Sequence, residues 1–195
     1  MTTTPGLRER KKAETRQAVY KAALNLVAEH GFDHVTVEAI ADAANVSRRT
    51  FFNYFADKAD AVMYGEEQRH LRILAKFRAR PAGEPGWPAL RAATEDMYRE
   101  FDEPDRDWIL RVRLARRHPS LLARQLAGLG ALEKELAQAI AERDGDFGLR
   151  PRVLAGAYLT TLRIATVVWL EEDQDRGLTE TTLAALDELG RSFQD

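Results

Sequence analysis

Residues Thr36 to Lys58 read TVEAIADAANVSRRTFFNYFADK, and their spacing decides the architecture. Thr36 offers an oxygen to cap a helix start, and Val37, Ile40, Ala41 and Ala44 follow at the i, i+3, i+4, i+7 spacing of a one-sided apolar helix. Asn45 can take the left-handed conformation that a tight interhelical turn needs, and Ser47 can cap a second short helix, expected over Arg48 to Phe55. Within it, Phe51 and Phe55 sit one turn apart and join Val46 in the core, which leaves Arg48, Arg49, Phe52 and Asn53 on the other face. Two short helices joined this way make a helix-turn-helix, and the outward face can enter a major groove. Arginine matches the paired acceptors of guanine, asparagine can pair with adenine, and an exposed aromatic can touch a thymine methyl. Ser47, Thr50, Tyr54 and Lys58, with Thr36, suit phosphate oxygens, which set register without reading sequence.

Upstream, a first helix is expected from about Arg10 to His30, with Val19, Ala22, Ala23, Leu26 and Val27 as its apolar stripe and Gly31 as its stop. The formal net charge is only −2, yet Arg8, Arg10, Lys11, Lys12, Arg16 and Lys21 face only Glu9 and Glu14 between Leu7 and Lys21. This locally positive segment suits a flexible arm over a nucleic-acid backbone or minor groove; a solubilising tail is the alternative.

Downstream, longer helices are expected over Lys58 to Ala79, Pro88 to Phe101, Arg106 to Arg117, Ser120 to Arg143, Arg152 to Glu172 and Glu180 to Phe193. Asp57 caps the first of them. Breakers lie at Arg80 to Pro88, His118-Pro119, Asp144 to Gly148 and Gly177. Alternating apolar and polar runs of the strand type are absent, so the expected class is all-α. The penultimate helix, with Val153, Ala157, Leu162, Ala165, Val168 and Trp169, is more apolar than one stripe requires, and Gly156 with Thr160 forms a small patch for close approach. A helix apolar beyond one face needs a second partner, either inside the bundle or on another subunit.

The segment from Ala28-Glu29-His30-Gly31-Phe32, through Thr36 to Ala41, to Val46-Ser47-Arg48-Arg49-Thr50-Phe51-Phe52-Asn53-Tyr54-Phe55 and Lys58 resembles the DNA-binding domain of TetR regulators. Two positions depart from that pattern: Asn45 stands where the family usually has glycine, and Phe52 where it has tyrosine. The resemblance implies a three-helix helix-turn-helix domain over residues 1–57 and a helical-bundle effector and dimerisation domain over 58–195. It also implies double-stranded operator DNA and a second copy of the chain as partners. Val153, Gly156, Ala157, Thr160, Leu183, Leu186 and Leu189 are then the expected dimerisation residues.

The resemblance of Gly6 to Lys12, of Ser47 to Phe52 and of the Arg-rich stretch before His118-Pro119 extends to TetR regulators with acyl-CoA-type effector domains. It implies repression relieved by a small apolar ligand. Met97, Trp108, Ile109, Val112, Leu126 and Tyr158 are the expected pocket residues, with Arg111, Arg113, Arg116 and Arg117 available to an acidic head group; a solid core is the alternative.

Other classes find little support. The chain has no cysteine, which removes disulfide frameworks, cysteine nucleophiles and thiolate metal sites. There is no nucleophile elbow, Gly-rich phosphate loop or His-Glu-x-x-His motif, and no cofactor is expected. Glu67 and His70 make one Glu-x-x-His pair where bundle di-metal sites need two, so it is read as surface. No signal peptide is visible, and the longest uncharged apolar run, Ile164 to Leu170, is far short of the ~20 residues of a membrane span. A cytoplasmic protein without membrane contact is expected. A small helical enzyme and a helical interaction module without DNA binding are the competing classes.

Overall fold

The structure is a computed structural model that describes residues 6–100, 106–171 and 177–191. Phe101, Glu172 and Phe193, named above within expected helices, lie outside the described residues. The helices are α1 (Leu7–His30), α2 (Val37–Ala43), α3 (Arg48–Phe52), α4 (Lys58–Ala79), α5 (Gly86–Arg99), α6 (Arg106–Arg117), α7 (Pro119–Asp144), α8 (Arg150–Glu171) and α9 (Leu178–Gly190), with a 3₁₀ turn at Phe32–His34. No strand occurs among the described residues.

The chain forms two compact units, residues 1–67 with 106–125, and residues 68–105 with 126–195. These packed units differ from a simple division after residue 57, because of the way the first core is filled. Ala59, Ala61, Val62 and Met63 of α4, Leu114 and Ala115 of α6, and Leu121 of α7 are buried together with Val19, Leu24, Val27, Ile40 and Phe51. One long helix and two short ones do not close this core alone, and these later segments supply the rest.

Within the first unit the caps follow from the sequence. Thr36 Oγ1 accepts the Ala39 N–H at 3.1 Å, Ser47 Oγ accepts the Thr50 N–H at 3.0 Å, and Asp57 Oδ1 accepts the Asp60 N–H at 2.7 Å. Asn45 has φ +54°, the one non-glycine left-handed residue among those described, and it joins α2 to α3 as its residue type allows. Helix α1 begins at Leu7 rather than Arg10, so Arg8, Arg10, Lys11 and Lys12 stand on an exposed helical segment rather than on a flexible arm.

In the second unit, two neighbouring residues of α7 hold the link between α4 and α5. The Arg143 guanidinium donates to the carbonyls of Phe77, Arg80, Pro81 and Glu84, and Asp144 Oδ1 accepts the Gly86 N–H at 2.7 Å. A cation on the last carbonyls of α4 and an anion on the first amide of α5 each match the local helix dipole. Helices α5 and α9 are joined by Arg91, whose Nε and Nη2 lie 2.5 and 3.1 Å from the two Asp187 carboxylate oxygens. The charged hydrogen bond holds the Asp187 carboxyl below its ordinary value and raises Arg91. Trp87 packs so closely on Gly190 that a Cβ there would overlap its indole nitrogen.

Helix α8 is the one described helix long and apolar enough to cross a bilayer. Packing accounts for part of that character: Leu154, Ala155, Tyr158, Leu159, Ala165 and Trp169 are buried, and α9 lies against the helix.

Candidate nucleic-acid interface

The first unit presents one polar face built on α2 and α3. Phe51 and Phe55 are buried, Val46 and Tyr54 are half-buried against the same core, and Arg48, Arg49, Phe52 and Asn53 are exposed. Phe52 keeps 47% of its surface open, an uncommon position for a phenylalanine with an apolar core one residue away. Helix α3 ends at Phe52 rather than Phe55, because Asn53 and Tyr54 close a turn in which the Asn53 N–H reaches the Arg49 and Thr50 carbonyls. The face keeps its composition despite the shorter helix.

Arg49 makes no ion pair or hydrogen bond through its side chain among the described residues, so its donors are available. Arg48 is already engaged: its Nε lies 3.1 Å from Glu38 Oε1, and its guanidinium stands 5.5 Å from the centre of the Phe52 ring. Both partners of that ion pair are more than half exposed, so the pair is weak and readily exchanged. Glu38 plays a part that sequence reading missed, although its place two residues after the Thr36 cap put it on the surface beside α3. Ser47 and Thr50 join hydroxyls at 2.8 Å at the start of α3, and Thr36 caps α2; both helix starts carry the partial positive charge that attracts an anion.

Lys58 departs from its expected role. Its Nζ donates to the Phe32 carbonyl at 2.7 Å and the Val35 carbonyl at 3.0 Å and sits 4.5 Å from the Phe32 ring centre. The ammonium closes the turn between α1 and α2. Arg16, counted in the basic N-terminal run, also turns inward, with its guanidinium 5.0 Å from the Tyr64 ring centre and 5.7 Å from that of Phe55. The signal for this was present: position 16 continues the buried stripe of Val19, Tyr20, Ala23 and Val27 by one turn.

The expected dimerisation residues divide. Val153 is 48% exposed and Thr160 is also exposed, while Gly156, Ala157, Leu183 and Leu189 are half-buried. On α8, the exposed Val153, Thr160 and Ile164 with the half-buried Gly156 and Ala157 leave a largely apolar stripe only partly covered. Leu186 is fully buried and belongs to the packing inside the chain, because the four-residue steps Leu178, Thr182, Leu186, Gly190 turn that side of α9 inward.

The expected pocket residues divide between the units. Trp108, Ile109 and Val112 lie on α6 in the first unit, and Met97, Leu126 and Tyr158 in the second. Met97 and Tyr158 are buried, whereas Leu126 is 56% exposed, since Leu132, Leu136 and Ile140 define the inner face of α7. An open notch of about 520 Å³ lies in the second unit between the α4–α5 link and the α7–α8 turn, lined by Ala82, Glu84, Arg143, Asp146 and Arg150 among others. None of the six expected residues lines it. Among the described residues no group of three metal-ligating side chains comes together; Glu67 is exposed, and His70 lies against Gly128.

Comparison with known proteins places this geometry. Residues 19–61 match the family profile described as bacterial regulatory proteins of the tetR family, and residues 84–194 match that of the MftR C-terminal domain. The chain is 33% identical to the HTH-type transcriptional regulator TcmR of Streptomyces glaucescens, across 95% of this chain and 87% of that protein. It is 31% identical, across 93% and 92%, to a Mycobacterium tuberculosis protein named as a mycofactocin biosynthesis transcriptional regulator, MftR. The fold is also that of the regulator FadR from Bacillus subtilis, solved in complex with stearoyl-CoA, with a TM-score of 0.61 at 18% identity over 89% of this chain and 96% of that one. An exposed Arg-Arg-Phe-Asn face on a capped helix-turn-helix, followed by a C-terminal domain of the MftR type, belongs to a DNA-binding regulator: the chain is a member of the TetR family of transcriptional regulators.

Proposed function

We propose that α3 reads operator DNA through Arg48, Arg49, Phe52 and Asn53, while Ser47, Thr50, Tyr54 and Thr36 hold the flanking phosphates. The observation that carries this is the coincidence on one short helix of two exposed guanidinium groups and an exposed phenyl ring, over a face fixed by the buried Phe51 and Phe55. The exposed basic segment Arg8 to Lys12 adds phosphate contacts from α1. The chain works as a homodimer on a palindrome with half-sites about one helical turn apart. Operator DNA of this kind lies in the bacterial cytoplasm, which is where the protein acts, and it acts by binding rather than by catalysis. Footprinting on duplexes selected from a random pool tests the assignment. A short palindromic motif is expected, with weaker and less selective binding by Arg49→Ala; absence of any enriched motif counts against it.

The effector is an apolar molecule with an acidic head group. Support comes from the apolar interior of the second unit around Met97 and Tyr158, and from the acyl-CoA bound by the Bacillus protein of the same fold. Stearoyl-CoA, stearate and an unrelated aromatic acid, titrated against the operator complex, separate the possibilities. Release by the first alone points to the thioester class, and release by none rejects this ligand class.

A further inference from the structure

Helix α6 carries an arginine where its pattern calls for an apolar residue. Trp108, Arg111, Val112 and Ala115 share one face at i, i+3, i+4 and i+7, and all four are buried, with Arg111 only 4% exposed. No carboxylate pairs with Arg111 among the described residues, and its buried Nε finds no acceptor. Its Nη1 donates to the Tyr20 hydroxyl, and its guanidinium lies 5.6 Å from the Tyr20 ring centre. A guanidinium buried without an acid is costly, and an apolar side chain of similar size serves packing better. The fold also makes a specific concession to this contact. Gly65, in the interior of α4, leaves open the space where a Cβ would come within 2.6 to 2.7 Å of the Arg111 guanidinium and the Tyr20 hydroxyl. Glycine inside a helix is unfavourable, so close approach is what this one supplies.

From Tyr20 a continuous series of ring contacts runs to the DNA-facing surface. Tyr20 meets Tyr64 edge to face with centroids 5.9 Å apart, Tyr64 meets Phe55 at 5.6 Å, Phe55 meets Phe51 at 5.8 Å, and Phe51 meets Phe52 at 5.4 Å. Phe52 then emerges beneath Arg48, with the guanidinium 5.5 Å from its ring centre. Arg16 braces the middle of the series, stacked on Tyr64 and Phe55. Close-packed rings do not deform continuously, so a displacement at one end is met by a displaced neighbour and not absorbed in free space.

We propose that Arg111, seated in the Gly65 notch, is a positioning residue for operator reading: through Tyr20, Tyr64, Phe55 and Phe51 it sets the pose of Phe52 and Arg48 on α3. This rests on the assignment of α3 as the reading helix. It extends the set of residues that govern recognition to α6, in a group too deeply buried to touch DNA.

The test uses the full-length protein, the operator duplex selected by the wild type, and a random-sequence duplex of equal length. Arg111→Met is expected to weaken operator binding about ten-fold or more while leaving affinity for random duplex and the salt dependence of binding unchanged. Tyr20→Phe, which removes only the hydroxyl acceptor, is expected to act in the same direction by a smaller factor. In a double-mutant cycle, Arg111→Met is expected to lose most of its effect once Arg48 is alanine, whereas independent action leaves its effect whole. Unchanged operator affinity for Arg111→Met, equal losses on both duplexes, or full additivity with Arg48→Ala overturns the proposal. Should Arg111→Met fail to fold, Tyr20→Phe and Gly65→Ala are judged by the same criteria. If Arg48→Ala and Phe52→Ala themselves leave operator binding intact, the assignment of α3 falls and takes the proposal with it. If they weaken binding and the Arg111 series does not, only the positioning role falls.

Discussion

The Tyr158 hydroxyl donates to Thr94. The two side-chain oxygens lie 2.6 Å apart, and the Thr94 proton is already given to the Leu90 carbonyl at 2.8 Å, so the proton between them comes from tyrosine. Both residues are fully buried, and burial raises the Tyr158 phenol well above its ordinary value of 10.0, against a smaller lowering by the Thr94 hydrogen bond. The native state therefore keeps a proton that the unfolded chain gives up. The resulting stabilisation is whole below pH about 10 and declines as the pH rises beyond it. Denaturant midpoints from pH 7 to 11 are expected to fall at the alkaline end, and Tyr158→Phe is expected to flatten that fall while costing about 1 kcal/mol at neutral pH.

Glu38 holds Arg48 away from full availability in the free protein. Glu38→Gln is expected to raise operator affinity severalfold, because it releases the guanidinium and removes a negative charge beside the phosphates. Arg48→Ala and Arg49→Ala are expected to cost about 1 to 3 kcal/mol each on operator and less on random duplex. A titration by fluorescence anisotropy at fixed salt distinguishes these outcomes; an affinity lowered by Glu38→Gln contradicts the blocking role.

Lys58 behaves as part of the fold. Lys58→Met leaves the Phe32 and Val35 carbonyls without their donor and is expected to destabilise the first unit by about 1 to 3 kcal/mol. A phosphate contact predicts something different, a salt slope reduced by about one. Thermal melting together with affinities at several salt concentrations separates the two.

Subunit association is expected to depend on the exposed stripe of α8 and not on Leu186. Val153→Glu and Ile164→Glu place a charge on a surface that is already open in the single chain, so sedimentation is expected to show folded monomers with little operator affinity. Leu186→Glu buries a charge at a position with no exposed surface and is expected to lower the melting temperature sharply instead. Dimers persisting in both α8 variants would place the interface elsewhere.

Much of this was legible from side-chain periodicity. The caps at Thr36, Ser47 and Asp57, the left-handed Asn45 and the split between Phe51 and Phe52 follow from local rules that act within a turn or two of helix. What escaped was the direction of basic side chains. Composition counts Arg16 and Lys58 as surface charge, whereas rings and carbonyls brought in by distant segments turn both inward. Position 111 could be read as buried from its spacing to Trp108, Val112 and Ala115, yet its residue type argued for solvent, and the Tyr20 hydroxyl that resolves the conflict lies 91 residues away. The make-up of the first core was hidden for a related reason: α6 and the start of α7 complete a core whose other members all precede residue 64.

Because Arg143 and Asp144 are consecutive, they fix where α4 stops and where α5 starts relative to a single point on α7. The peptide link takes part through the Arg80, Pro81 and Glu84 carbonyls, whereas Ala82 and Gly83 between them are exposed. A protease nick at Gly83, or a few residues inserted there, would leave both helix ends clamped, so the link can vary in length without altering the bundle. The same economy concentrates risk: one misplaced residue in the last turn of α7 releases two helix termini at once.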